Sequence, residues 1–412
     1  MSFKELKLNK AILKAVANAG YNNPTLVQEL TIPLVLNKKD VITSAQTGTG
    51  KTAAFALPIL QLLFDKQDAP KKGKKIKALI ISPTRELAIQ INNNFKTYGK
   101  NTNLRSTVIF GGTSIEPQKD ILNKGVDIVI ATPGRLLDLH KQDVINLDYV
   151  ETLVIDEADL MLDMGFIDDV KKIERLCTKE KQILLFSATI PYKVEQLASS
   201  ILKSPERVDV SPTSSVTKNV SQVLYYVPKR NKIELCLHLL RNTIKGNILI
   251  FRRTKFGVNK LEQTLINNGY KVETIHGDKA QSLRQEALKK FKNGYVNILI
   301  ATDVAARGID INELDAVVNF DMPNVPETYV HRIGRTGRAG QTGMSYSLCS
   351  ADEKNYVKTI QQLISVQIPI EDNHPYPLDP KAKPIIHKSN KTSKHKKGRK
   401  SKASKKKKKR WY

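Results

Sequence analysis

The chain has 412 residues, 40% of them hydrophobic, which suits two or three globular domains with real cores. No run of about 18 apolar residues occurs and the first ten residues hold no apolar stretch behind a basic one, so no membrane span or secretory signal is expected and a cytoplasmic location is. The net charge of +27 points to a polyanionic partner, most often nucleic acid.

In chain order, short apolar runs alternate with amphipathic segments. Val41–Ser44, Ala78–Ser82, Thr107–Phe110, Asp127–Ile130, Thr152–Ile155 and Gln182–Phe186 read as strands. They are rich in Val, Ile and Leu without clean alternation, as strands covered on both faces should be. Thr52–Phe64 and Glu86–Tyr98 read as helices between them. This is βαβ alternation and predicts a parallel sheet.

The pattern stops at Ser211–Lys218, which has no periodicity and reads as a linker. It restarts with strands at Asn247–Phe251, Lys271–Ile275, Asn297–Ala301, Ala316–Phe320 and Gly343–Cys349. Helices are expected at Thr254–Asn267, Ser282–Phe291 and Ala351–Leu363. The predicted organisation is therefore α/β: a first domain over 1–210, a linker over 211–218, a second domain over 219–367, and a polar, Pro-containing then Lys-rich disordered tail over 368–412. Residues 381–412 carry 16 Lys and Arg and no acid, leaving 51 basic against 40 acidic residues elsewhere. The tail thus supplies more than half of the excess charge. It is expected to raise nucleic-acid affinity without specificity, by counterion release. A solubilising end and a localisation signal are the other readings, and an anionic membrane surface fits less well because the tail has no apolar face. Cys177, Cys236 and Cys349 show no metal-ligand spacing and read as buried free thiols.

The run Ala45-Gln46-Thr47-Gly48-Thr49-Gly50-Lys51-Thr52 follows a strand and opens a helix, the context a phosphate loop requires. Glycines let the backbone wrap closely, so that successive N–H groups face phosphate oxygens at a helix N-terminus. Lys51 is placed for the β- and γ-phosphates and the Thr52 hydroxyl for Mg²⁺. Ala45 stands where the strict pattern has Gly. Asp156-Glu157-Ala158-Asp159 follows the strand Thr152–Ile155, so it falls at the carboxyl edge of the sheet, where ligands bind in such folds. Asp156 offers Mg²⁺ a hard oxygen and Glu157 can orient and deprotonate the attacking water. The second domain has no phosphate loop. It has His331-Arg332-Ile333-Gly334-Arg335-Thr336-Gly337-Arg338, an arginine cluster suited to an anion or to solvent.

Over about residues 3–365 these segments resemble, in order, the motif series of the DEAD-box ATP-dependent RNA helicases. That resemblance implies two tandem RecA-like (P-loop NTPase) domains with parallel sheets, ATP and Mg²⁺ as cofactors, and hydrolysis coupled to local unwinding of short RNA duplexes; an ATP-gated RNA clamp is the alternative. Phe3, Gly20-Tyr21, Pro24-Thr25 and Gln28 resemble the adenine-reading motif, with Gln28 on the base edge and Phe3 or Tyr21 stacking. Thr47, Gly48, Thr49, Gly50, Lys51 and Thr52 would hold phosphates, and Gly308 and Asp310 the nucleotide's ribose side. Pro83, Thr84, Arg85, Gly112, Thr132, Arg135, Arg252 and Thr302 resemble backbone contacts to RNA. Arg335 and Arg338 would reach the ATP phosphates, and His331 would link to Ser187-Ala188-Thr189, the coupling motif. Within the family, Phe251–Gly257 and His374–Pro377 resemble the bacterial RhlE type. The expected partner is single-stranded or short duplex RNA with little sequence preference, including ribosomal or decay-machinery ribonucleoprotein; no membrane is expected, and a monomer is.

Overall fold

The computed structural model describes residues 2–46, 48–65, 75–210, 220–306, 311, 314–337 and 342–379. Thr47, Gly308, Asp310, Arg338, the linker 211–218 and everything after 379 lie outside the described residues. Among those described, thirteen strands form two all-parallel sheets. The first sheet takes β1 (Val41–Ser44), β2 (Ala78–Ile81), β3 (Ser106–Ile109), β4 (Ile128–Ala131), β5 (Thr152–Ile155), β6 (Gln182–Ser187) and β7 (Glu206–Asp209), in the order β3-β4-β2-β5-β6-β1-β7. The second takes β8 (Val220–Tyr226), β9 (Ile248–Arg252), β10 (Val272–Ile275), β11 (Ile298–Thr302), β12 (Ala316–Asn319) and β13 (Gly343–Cys349), in the order β10-β11-β9-β12-β13-β8.

Alternate residues of each central strand feed opposite faces. Ile80, Val154 and Leu184 join one core with Phe55 and Phe186, whose rings sit 5.1 Å apart. Leu79, Leu153, Ile155 and Leu185 join the other with Leu136, Met161 and Leu197. Truncating a buried Phe of this kind costs about 3–5 kcal/mol. The second domain repeats the scheme, with Ile250, Ile300 and Val318 on one face and Leu249, Leu299 and Val317 on the other.

Strand order fixes the site. β6 separates β1 from β5, so the loops after these three strands lie side by side at one carboxyl edge. The Ala45 N–H donates to the Ser187 carbonyl at 3.0 Å and ties the first loop to the third.

The C-terminal segment departs from expectation. A tail was expected from residue 368, yet Ile368 is buried and residues 369–371 pair with β8: Leu224 N–H donates to Pro369 O and Glu371 N–H to Leu224 O. The Leu378 N–H then donates to Tyr226 O, and the His374 ring meets the Tyr225 ring edge-on. Polar composition hid this docking, because the segment is held by backbone bonds to an open strand edge and by one isoleucine rather than by an apolar run.

Candidate nucleotide and nucleic-acid site

Gly48 and Gly50 adopt φ of 92° and 95°, values that glycine alone takes readily, and Gly50 caps the helix Lys51–Phe64. A Cβ on Gly50 would lie 2.3 Å from Gln28 Nε2. The Gln28 amide is occupied at both ends: its Nε2 donates to Gly50 O at 3.2 Å and its Oε1 accepts from the Thr25 N–H at 3.1 Å. The segment that carries Gln28 therefore touches the Gly-rich loop directly. Thr49 Oγ1 closes the loop on Gln46 O. Of the two stacking candidates, Phe3 is buried in the first core and Tyr21 is 47% exposed, edge-on to Tyr98.

Lys51 Nζ meets Glu157 Oε1 at 2.9 Å, and both side chains are buried. Burial alone would discharge the lysine, but Glu157, Asp156 and Asp159 outweigh it and raise its pKa. Burial likewise opposes the Glu157 carboxylate; Lys51 overcomes that, helped by His331 and Arg335, and holds its pKa below the ordinary value. Glu157 has φ 55°, left-handed backbone that is strained outside glycine and is found at functional sites. Asp156 is pushed up to about 7, by burial first and then by the Glu157 charge, with Lys51 opposing. A buried carboxylate so short of positive charge, with the Thr52 hydroxyl at the start of the facing helix, is a hard-oxygen donor set that fits a Mg²⁺ ion.

Asp159 joins this edge to the coupling segment. Its N–H donates to Ser187 Oγ, while its Oδ2 accepts from both the N–H and the hydroxyl of Thr189 at 2.9 and 3.0 Å. Ala188 is half-buried between them. From the second domain, His331 Nε2 comes within 3.8 Å of the same Asp159 oxygen. The family resemblance placed His331 beside Ser187–Thr189; the residue that carries the link, Asp159, is the third acid and last residue of the Asp156–Asp159 quartet. Arg335 is buried and adds to the positive field on Glu157. Arg332, the first arginine of the run, is committed elsewhere: it makes a two-point ion pair with Asp303 and donates to Asn319 Oδ1 and Asp321 O.

The first domain's proposed nucleic-acid residues line the loops after β2, β3 and β4. Pro83 is buried, and Thr84 Oγ1 caps the helix Arg85–Tyr98 by accepting from the Leu87 N–H. The Arg85 guanidinium lies against Gly112, which has φ 77°, and would have to move to admit a Cβ there. Thr132 caps the helix Pro133–Lys141, and Arg135 donates to Thr113 O while its Nη1 is buried with no partner. In the second domain Thr302 ends β11 in register with Arg252. Arg252 is turned inward, stacked 3.9 Å over the Phe320 ring and paired with Asp321 at 3.3 Å.

One contact that sequence reasoning missed spans the domains directly. Glu86 Oε1 accepts from Gln281 Nε2 at 2.8 Å and pairs with Arg284 Nη2 at 3.0 Å, all three residues buried. Nothing in linear order pairs residues 195 apart.

A phosphate loop and an acid-tipped strand on one sheet, approached by a histidine and an arginine from the end of a helix of the second domain, define a two-domain P-loop nucleoside triphosphatase with its site in the cleft. Comparison narrows the class. Residues 25–197 match the family model described as DEAD/DEAH box helicase, and residues 231–340 the helicase conserved C-terminal domain. The ATP-dependent RNA helicase CshA of Limosilactobacillus reuteri is 42% identical over 370 residues, covering 89% of this chain and 73% of that one. The DEAD-box ATP-dependent RNA helicase RhpA of Helicobacter pylori is 41% identical, with 89% and 73% covered. Among solved structures, S. cerevisiae Dbp5 bound to RNA and ADP BeF3 superposes with a TM-score of 0.80 at 31% identity, over 90% of this chain and 95% of that one. Mss116p bound to ssRNA and AMP-PNP gives 0.82 at 31% identity, over 90% and 79%. This chain belongs to the DEAD-box family of ATP-dependent RNA helicases.

Proposed function

We propose that the protein closes its two domains over ATP and RNA, hydrolyses the ATP in that closed state, and couples this cycle to local separation of short duplexes and remodelling of RNA or ribonucleoprotein. The observation that carries this is the composite cleft: the Lys51–Glu157 pair of one domain lies in the field of His331 and Arg335 of the other. ATP and RNA each favour the closed arrangement and so strengthen one another's binding, by about 1–3 kcal/mol in typical coupled systems.

In this reading the adenine edge is read at Gln28, with Phe3 or Tyr21 stacking, and the loop Thr47–Thr52 wraps the phosphates. When the γ-phosphate takes up the Lys51 charge, Glu157 is released from its ion pair to hold the attacking water and accept its proton. Arg335, with Arg338, stabilises charge on the transferring group. Thr52 and Asp156 would hold Mg²⁺, which supplies charge neutralisation at the phosphates. Gly308 and Asp310 would take the ribose side, as the family resemblance implies. Thr84, Arg85, Gly112, Thr132, Arg135 and Thr302 take the RNA backbone, so sequence preference is low. The Ser187–Asp159–His331 chain passes closure between the two bound ligands.

The domain limits 1–210 and 219–367 around a 211–218 linker, a monomeric state, a cytoplasmic location and ribosomal or decay-machinery ribonucleoprotein as targets all belong to this proposal. So does the RhlE-type assignment, which rests on Phe251–Gly257 and His374–Pro377; the relatives compared above bear the names CshA and RhpA instead. Among the described residues no helix is long and apolar enough to cross a membrane.

The test is steady-state ATPase activity with and without single-stranded RNA, for wild type and Arg335→Ala. An arginine of this kind is worth about 10³–10⁵ in rate. Strong RNA stimulation lost in the variant supports the reading; ATPase activity indifferent to both RNA and Arg335 sinks it. The buried Glu86 bridge also favours a long-lived closed clamp. Glu157→Gln separates the two: a clamp holds RNA stably with ATP and fails to release it, whether or not strands part.

A further inference from the structure

The second domain presents an aromatic side chain at its nucleic-acid edge that the backbone-contact scheme leaves unused. Phe256 is 76% exposed. It follows β9, and the sheet order β10-β11-β9 sets the loop after β11, where Thr302 lies, between the loops after β9 and β10. The two outer loops are joined across it by the Lys255–Asp278 ion pair. Asp278 leads into Gln281 and Arg284, which reach Glu86 beside Thr84 and Arg85 of the first domain. The first turn of the helix Lys255–Asn267, which carries Phe256, therefore continues the row of residues assigned to RNA.

Of the cations at this edge, Lys255 is paired, among the described residues, only with the exposed Asp278 and can exchange that carboxylate for a phosphate. Arg252 is committed to Phe320 and Asp321, and Arg253 to Glu353 and Met322 O. What faces outward is Phe256 with the Lys255 ammonium 5.4 Å over its ring. By contrast Tyr295, almost as exposed, precedes β11 and lies at the opposite edge of the sheet. An exposed aromatic face beside a cation at the rim of a polyanion site suits a nucleobase above a phosphate.

We propose that Phe256 stacks on an unpaired RNA base where the strand leaves the cleft over the second domain, with Lys255 on the adjoining phosphate. This rests on the RNA-binding reading above and adds a base contact to it. Because every base offers a π-face, the contact selects for single strand over duplex without selecting sequence.

The test measures binding of the full chain, with AMP-PNP, to a labelled single-stranded RNA of mixed sequence and to an oligonucleotide of equal length whose internal positions are abasic. Phe256→Ala should weaken binding to the mixed sequence by about five-fold or more, Phe256→Trp should restore it, and neither should change binding to the abasic strand. The proposal is overturned if Phe256→Ala binds the mixed sequence as wild type does, if the loss is equal on the abasic strand, or if Trp fails to rescue. Wild type that shows no nucleotide-dependent RNA binding would instead overturn the underlying reading, and the stacking contact with it.

Discussion

Glu86 and Arg284 belong to different domains and form a buried ion pair at 3.0 Å, with Gln281 donating to the same carboxylate oxygen. Burial works against the Arg284 charge and Glu86 sustains it. Leaving one partner of such a pair unpaired costs about 3–5 kcal/mol, more than the coupling that holds ligand-driven closure together. Glu86→Ala is therefore expected to lower RNA-stimulated ATPase activity by about ten-fold or more while each domain melts as before. ATPase titrations against RNA check it; an unchanged maximum and an unchanged RNA midpoint would remove Glu86 from closure.

Asp159 connects three segments, so its loss should separate hydrolysis from strand separation. Asp159→Asn turns one of its two acceptor oxygens into a donor facing either the Leu160 N–H or Thr189, at about 1.5–3 kcal/mol for a charged hydrogen bond. Duplexes unwound per ATP should fall more than the ATPase rate. A double-mutant cycle with His331→Ala should show a coupling of about 0.5–3 kcal/mol. Strict additivity would mean that the 3.8 Å approach carries nothing.

Gly50→Ala meets two obstacles, a φ of 95° and a Cβ 2.3 Å from the Gln28 amide. The backbone strain is about 1–3 kcal/mol, spread over a loop that must hold its shape to bind phosphate. Nucleotide affinity should collapse while the melting temperature moves by only a few degrees, on the order expected for that cost. Isothermal titration with ATP beside a thermal scan reads both.

Burial pushes the thiols of Cys177, Cys236 and Cys349 up to about 12. A folded-state pKa raised above the unfolded one gives stability that is full below about 9 and is lost as pH climbs from there toward 12. A thiol-reactive chromophore at pH 8 should find none of the three in the native protein and all three in denaturant. Rapid native labelling of any one would show that its pocket opens.

Most of this architecture could be read from residue order because it is local. The phosphate loop, the acids after β5 and the central strands each declare themselves within a few residues. The two strands that escaped, β7 and β8, are the last strands of their sheets; each has a neighbouring strand on one side only and so needs no continuous apolar run. The site was legible wherever one segment makes it. It was not where distant segments meet, as with Glu86 and Arg284, or Asp159 and His331. The arginines show the same limit: Arg332 finds an anion in Asp303, 29 residues earlier in the chain, and Arg252 finds one in Asp321.

The pairing of residues 369–371 along β8 has a consequence for solubility. An open strand edge is a template on which other chains can add. Here the chain's own C-terminal segment takes the outward N–H and C=O of Leu224 and blocks that template. A chain cut short before Ile368 would keep its catalytic residues but bare the edge, and its failure would be precipitation rather than inactivity.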